Sequence, residues 1–226
     1  MSFKVISFDA YDTILSTKEE LDKICEIMRP NCTSVWRNNF WKRFSIGMDL
    51  EFKKLTNDEE YVKASVLYHR AIKSSNLLSG TQVNEEQAVN LIYFAHSNAK
   101  ALRGISNLIQ KLRKQYIVVI LSDADNKFLN SALYKNNIVV DLVISSEDAT
   151  GYKTNKNNNV FKYFIKKFGV QSSDIVHVGD SDNDEIGTLN SGIEFWRFNP
   201  FGRPFSSNRN QNIVENLSDL ESKLIK

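Results

Sequence analysis

The chain has 226 residues, 42% of them hydrophobic and 25% charged, enough for one large domain or for a core with a subdomain. With 29 Lys and Arg against 27 Asp and Glu, the net charge of +2 gives no basis for a nucleic-acid or anionic-membrane partner. No apolar run approaches the ~20 residues of a membrane span, and no basic-then-apolar leader opens the chain, so a cytoplasmic protein is expected, with Cys25 and Cys32 as free thiols.

The first element is Val5-Ile6-Ser7-Phe8, an apolar, partly β-branched run too short for a helix, ending in Asp9-Ala10-Tyr11-Asp12-Thr13. Thr17 with Glu20 three residues later reads as the capped start of a helix. From there to about residue 100 the signals are helical. Trp36, Phe40 and Phe44 recur at i, i+4 and i+8, Val62, Val66 and Ala71-Ile72 suggest a second helix, and Ala88, Leu91-Ile92 and Ala95 a third. Trp36, Trp41 and Phe44 are expected to be core of this helical part rather than a substrate cage.

Strand and helix then alternate. An amphipathic helix (Ile105, Leu108-Ile109, Leu112) precedes a buried strand, Tyr116 to Leu121, that ends in Ser122-Asp123. A helix through Phe128, Leu129 and Leu133 leads to the strand Leu142-Val143-Ile144, and Gly151-Tyr152-Lys153 lies in the loop beyond. Val160 to Phe168 is a helix closed by Gly169, and Ile175 to Val178 a strand ending in Gly179-Asp180-Ser181-Asp182-Asn183-Asp184. Ile193 to Trp196 is a further strand, residues 199 to 211 read as loop, and a helix runs from about Ser218 to Leu224. The alternation predicts an α/β fold: a Rossmann-like three-layer core with a parallel sheet, formed by residues 1–15 and 100–226. An all-helical cap, residues 16–99, is inserted after the first strand.

Three apolar strands thus end in Asp9, Ser122 and Asp180 with Asp184, and such carboxylates repel one another unless a cation or protons intervene. Asp9, Asp180 and Asp184 suit a hard divalent ion, most simply Mg2+. Ser122 and Lys153 beside them make an anion site. The combination describes attack by a carboxylate on a small-molecule anionic substrate. Lys156 competes with Lys153 for the lysine position, and capping the helix after its strand is the lesser alternative for Ser122, compatible with its place in the site.

In this order the motifs resemble the haloacid dehalogenase superfamily, over nearly the whole chain: Asp9-Ala10-Tyr11-Asp12-Thr13, Ile120-Leu121-Ser122, Gly151-Tyr152-Lys153 and Gly179-Asp180 to Asp184. The resemblance implies a hydrolase with Asp9 as nucleophile. Thr13, Ser122 and Lys153 would assist at the reacting group. Asp9, the Tyr11 backbone carbonyl, Asp180 and Asp184 would hold Mg2+. Tyr11, Arg37 and Asp123 would face the substrate. The phosphatases of that superfamily carry a second Asp where this chain has Tyr11. Tyrosine there marks its metal-independent 2-haloacid dehalogenases, as do Val35-Trp36-Arg37 and Tyr152-Lys153. Gly179-Asp180-Ser181, Asp123 and Phe161 replace Ser-Ser-Asn, Asn and Tyr of those dehalogenases.

The acidic motif favours Mg2+-dependent hydrolysis of a phosphate ester or anhydride with a good leaving group, because the general acid supplied by the second Asp contributes roughly 10²–10⁴-fold. Dehalogenation and a catalytically impaired binding module are the alternatives. Asp182 and Asp123 are expected as loop acids, the latter beside the site, Thr13 as a hydrogen-bond donor in the turn, and His177 as a core histidine with satisfied nitrogens. Arg37 is divided between a surface ion pair and the site. Nothing in the sequence sets an oligomeric state.

Overall fold

A computed structural model describes residues 3–55, 61–77, 82–200, 202 and 212–225. Its core is a six-stranded sheet made of β1 (Val5–Phe8), β4 (Ile117–Ser122), β5 (Leu142–Ser145), β6 (Ile175–Gly179), β7 (Glu194–Phe198) and β8 (Ile213–Val214). The order is β5-β4-β1-β6-β7-β8, and every pair is parallel. Strands β1 and β6 are buried along their whole length, as the near-continuous apolar runs require for a sheet covered on both faces. The covering helices are α5 (Ile105–Leu112), α6 (Asn126–Lys135), α7 (Ser146–Ala149), α8 (Val160–Phe168), α9 (Asp182–Ser191) and α10 (Leu217–Leu224).

Strand β1 lies at the centre. The chain leaves it towards β4 on one side and is completed by β6 on the other, so the strand order reverses there. In open α/β sheets the crevice at such a point, beyond the carboxyl ends of the strands, is where ligands bind. Register makes the convergence concrete. Phe8 pairs with Ile120 and Val178, which brings Asp9 level with Leu121 and Gly179 and puts Ser122 and Asp180 one step further on.

The helical cap consists of α1 (Lys18–Met28), α2 (Ser34–Leu55), α3 (Ala64–Leu77) and α4 (Glu85–Ser97). Its two connections to the core run side by side as a short antiparallel pair, β2 (Leu15–Ser16) and β3 (Lys100–Ala101). Trp36 and Phe40 are buried and stack at 5.4 Å, and Trp41 packs edge-on against Phe40. Along α2 the close approach to α3 is made at Gly47, where an added Cβ would lie 3.0 Å from the Ala71 backbone.

The structure departs from the sequence pattern in several places. Thr17 occupies the N-cap position of α1 but makes no side-chain cap, and its backbone is helical rather than extended. Glu20 instead pairs with Lys23 at 2.7 Å, so the capping box does not form. Strand β7 continues past Trp196 through a buried arginine, Arg197. The short strands β2, β3 and β8 carry too few residues to show a period. Most of the stretch 199–211 lies outside the described residues.

Candidate active site

Asp9 follows β1, and its backbone N–H donates to the Val178 carbonyl at 2.9 Å, which ties the residue to the end of β6. The chain then turns sharply. Ile14 and Leu15 both donate to the Ala10 carbonyl, and Asp12 sits at φ 63°, a left-handed conformation uncommon for a residue with a Cβ. The turn returns Thr13, fully buried, to the cluster, where its Oγ1 donates to Asp180 Oδ1 at 2.9 Å.

Lys153 reaches the same point from the loop after α7. It is buried, and its Nζ donates to Asp9 Oδ1 and, at 2.6 Å, to Asp184 Oδ1. Its backbone N–H donates to Asp123 Oδ1 at 2.8 Å, and a glycine lets the loop approach α9. A Cβ on Gly187 would lie 2.6 Å from the Lys153 carbonyl oxygen. The competing Lys156 is exposed, and its carbonyl accepts from the Lys162 ammonium.

Asp184 is held from every side. Oδ1 accepts from Lys153 and lies 3.0 Å from His177 Nε2, while Oδ2 accepts from Ser181 Oγ at 2.5 Å and from the Ser181 backbone N–H at 3.1 Å. The Ser181 and Asp184 bonds form a reciprocal capping box at the start of α9. Gly179 is required behind it, since a Cβ there would meet Asp184 Cγ at 2.5 Å. His177 is buried with both nitrogens engaged, Nδ1 with Ser7 Oγ at 2.9 Å and Nε2 with Asp184. It is a satisfied core histidine, and it also fixes a site carboxylate. A continuous chain therefore runs Ser7–His177–Asp184–Lys153–Asp9.

Burial sets the electrostatics. Desolvation, tempered by Lys153, pushes the Asp9 carboxyl up to about 6. Asp180 is pushed up to about 8 by desolvation and by Asp9 and Asp184, and Asp123 to about 7 by desolvation. Burial also disfavours the charged forms of Asp184 and Lys153. Their mutual attraction outweighs it, so Asp184 stays well below the usual carboxylate range and Lys153 above the usual lysine range. One oxygen from each of Asp9, Asp180 and Asp184 falls in a cluster no wider than 4.8 Å.

Asp9 and Asp180 open into a cavity of about 270 Å³, with Asp184 buried behind its lining. Asp9, Ser122, Asp123, Lys153 and Asp180 form its floor, and Tyr11, Met48, Phe52, Ala64 and Tyr68 form an apolar wall. Tyr11 donates its hydroxyl to the His96 carbonyl at 3.3 Å and packs its ring on His96 and Phe128. Ser122 lines the cavity, and the N-cap position of α6 belongs to Asp125. Of the residues expected at the site, Arg37 is not brought to this cavity. It lies on α2 within charge range of Cys25 and Cys32.

Arg197 on β7 is a further contributor. It is 0% exposed and donates to the Asp180 carbonyl at 2.7 Å, to Asp182 at 2.9 Å and to Glu185 at 2.8 Å. It thereby pins the loop that carries Asp180. An arginine inside an aromatic strand is the only sequence signal for it.

A family model described as haloacid dehalogenase-like hydrolase matches residues 3–192. No curated protein sequence matches the chain. Among solved structures, one of a dehalogenase with intermediate complex is 19% identical, with 100% of this chain and 98% of that one covered and a TM-score of 0.79. The L-2-haloacid dehalogenase from Xanthobacter autotrophicus with chloropropionic acid covalently bound is 14% identical over 97% of each chain, at 0.79. The hydrolase YfnB from Bacillus subtilis, bound to magnesium, is 15% identical over 99% of each chain, also at 0.79. At these identities the likeness to solved structures is one of fold. The family-model match extends over most of the chain, and the protein belongs to the haloacid dehalogenase-like hydrolases.

Proposed function

We propose that the protein hydrolyses a small phosphate ester or anhydride, with Asp9 as nucleophile and a divalent cation, most simply Mg2+, as cofactor. The observation that carries this reading is an imbalance of charge. Among the described residues, four carboxylates, Asp9, Asp123, Asp180 and Asp184, meet a single ammonium, Lys153, in a mostly buried cluster. A phosphate dianion is repelled from such a place unless further positive charge is supplied.

The donor set fits a cation on one side only. Asp9 Oδ1 accepts from Lys153 and Asp180 Oδ1 accepts from Thr13, so both carboxylates retain lone pairs. With the Tyr11 carbonyl as a further ligand they would make an all-oxygen set suited to Mg2+. Asp184 is within ligand distance, but Lys153, His177 and Ser181 already occupy both its oxygens. Its role in this account is to hold Lys153. When bound, the cation supplies charge that offsets repulsion between Asp9 and the phosphate oxygens.

The protein groups do the rest. Lys153 fixes the Asp9 carboxylate and offers its ammonium to the phosphate as charge moves. The Ser122 hydroxyl, which lines the cavity, would bind a second phosphate oxygen. An Asp9 oxygen attacks phosphorus, the leaving group departs with the bonding electrons, and water cleaves the resulting aspartyl phosphate. Tyr11 is no carboxylic acid, and burial raises its pKa well above the ordinary tyrosine value, so leaving-group protonation is not provided at position 11. Substrates with good leaving groups are therefore favoured.

Metal-independent 2-haloacid dehalogenation is the second reading. It is favoured by Tyr11 and by the apolar wall of Met48, Phe52 and Tyr68, which suits a carbon–halogen substrate. Against it, Lys153 is the one cationic side chain among the described residues that line the cavity. The two readings separate on phosphate release from p-nitrophenyl phosphate and chloride release from 2-chloropropionate, each with Mg2+ and with EDTA. Phosphate release that requires Mg2+ supports the proposal. Chloride release in EDTA replaces it with the second reading, and turnover of neither points to a binding module.

A further inference from the structure

The joint between cap and core has an exchanged pattern of helix capping. Asp125 holds the N-cap position of α6, yet its side chain makes no bond to that helix. Its two oxygens instead accept from the backbone N–H groups of Ala64, at 2.8 Å, and Ser65, at 3.1 Å, the first two amides of α3 in the cap. Helix α3 needs an outside acceptor. The first amides of a helix have no partner within it, and the residue before α3 is Lys63, whose side chain has no acceptor atom. The amide that Asp125 leaves uncovered on its own helix, that of Asn126, donates to Glu147 Oε2 at 3.0 Å. The other oxygen of Glu147 pairs with Lys63 at 2.5 Å. One residue earlier, the Val62 carbonyl accepts from the hydroxyl of Tyr152, the neighbour of Lys153, at 2.6 Å.

Asp125 is 2% exposed and takes no part in the chemistry described above. Its position explains why a buried charge is kept there. Ala64 and Tyr68, which wall the cavity over Asp9, both belong to α3. A carboxylate on the core that caps this helix sets the helix's distance from the floor of the site. The negative charge also interacts favourably with the positive end of the helix dipole.

We propose that Asp125 is a positioning residue for the reaction at Asp9: by capping α3 from the core, it holds the Ala64–Tyr68 wall closed over the substrate. This rests on the Asp9 cavity being the reaction site. Removing the cap lowers the fraction of molecules with the wall in place, and apparent substrate affinity falls by that fraction.

The test combines hydrogen exchange with kinetics on Asp125→Ala and Asp125→Asn. The second variant keeps one acceptor and the shape of the side chain, and it serves if the first does not fold. In Asp125→Ala the amides of Ala64 and Ser65 exchange faster by about tenfold, the factor expected for a lost N-cap, while those of Val119 to Leu121 are unchanged. KM for p-nitrophenyl phosphate with Mg2+ rises by a similar factor with kcat little altered, and Asp125→Asn falls between wild type and Asp125→Ala. Unchanged exchange at Ala64 and Ser65, or equal loosening of the central strands, overturns the proposal. Turnover of neither p-nitrophenyl phosphate nor 2-chloropropionate by the wild type refutes the reading of the cavity instead, and the exchange result still decides the role of the joint.

Discussion

The Lys153 ammonium lies 2.6 Å from Asp184 Oδ1, and neither side chain is more than 3% exposed. A buried ion pair adds little net stability when compared with an apolar pair, but removing one partner leaves an uncompensated charge at a cost of about 3–5 kcal/mol. Because Asp9 still pairs with Lys153 in Asp184→Asn, that variant is expected to lose less than this full cost in unfolding free energy, read from urea denaturation. It also frees Lys153 from one of its two anchors, so turnover falls with stability. A variant as stable as wild type would show that Asp184 does not hold Lys153.

Asp9→Asn behaves in the opposite way. With Asp9 as the proposed nucleophile, its loss lowers kcat by at least about 10⁴-fold. Stability moves the other way because burial raises the Asp9 pKa to about 6. A carboxyl with a raised folded pKa opposes folding increasingly as pH rises above its unfolded value, and in full above the folded value, since the unfolded state holds the charge more readily. At pH 8 without divalent cations, Asp9→Asn melts at or above the wild-type temperature. A lower melting temperature would contradict the charge repulsion assigned to the cluster.

Arg197 gives a prediction that separates positioning from chemistry. It contacts the Asp180 carbonyl and the Asp182 and Glu185 carboxylates, and it does not line the cavity. Arg197→Lys keeps the charge and loses the fork that spans three acceptors. The Mg2+ concentration for half-maximal phosphate release should rise about tenfold, with kcat at saturating Mg2+ changed much less. An unchanged Mg2+ dependence would remove Arg197 from the site.

Away from the site, Asp141 accepts from Arg113 Nε and Nη2 at 3.0 and 2.7 Å and from the Val118 backbone N–H at 2.9 Å. The Arg113 guanidinium, helped by that amide, holds its pKa below the ordinary value of 3.8. A depressed folded pKa contributes stability above the unfolded value, and that contribution is lost as pH falls through the folded pKa. Because the pair is about one-third exposed, the effect is under about 1 kcal/mol. Asp141→Asn is expected to be slightly less stable than wild type at pH 7 and equal to it once pH has fallen below the lowered folded pKa. A difference that persists in acid would mean the hydrogen bonds, not the charge, carry the effect.

The parts of the site that sequence makes legible are those set by a strand and its end. Asp9, Ser122 and Asp180 each follow an apolar run, and parallel pairing of the three runs leaves no other place for them to meet. Lys153 and Lys156 are separated only by tertiary structure, since the loop that buries one exposes the other. His177 reads as core because its strand is apolar on both sides, and its bond to Asp184 depends on the first turn of α9. Asp125, not Ser122, holds the N-cap position of α6. Its use on α3 depends on where the cap lies, which no local pattern encodes. Thr17 and Glu20 show the converse. The capping pattern is present, but the backbone at Thr17 stays helical and Glu20 turns to Lys23.

The acidic excess around Asp9 is proposed to be a divalent-cation site. Mn2+ is a spin probe for such a site, and its binding needs no substrate or turnover. Titration of the wild type and of Asp180→Asn, followed by electron paramagnetic resonance, tests the claim most directly. The account predicts one Mn2+ per wild-type chain, displaced by Mg2+, and binding weakened at least about tenfold in Asp180→Asn. No bound Mn2+ at millimolar concentration, or equal binding by the two proteins, would contradict it.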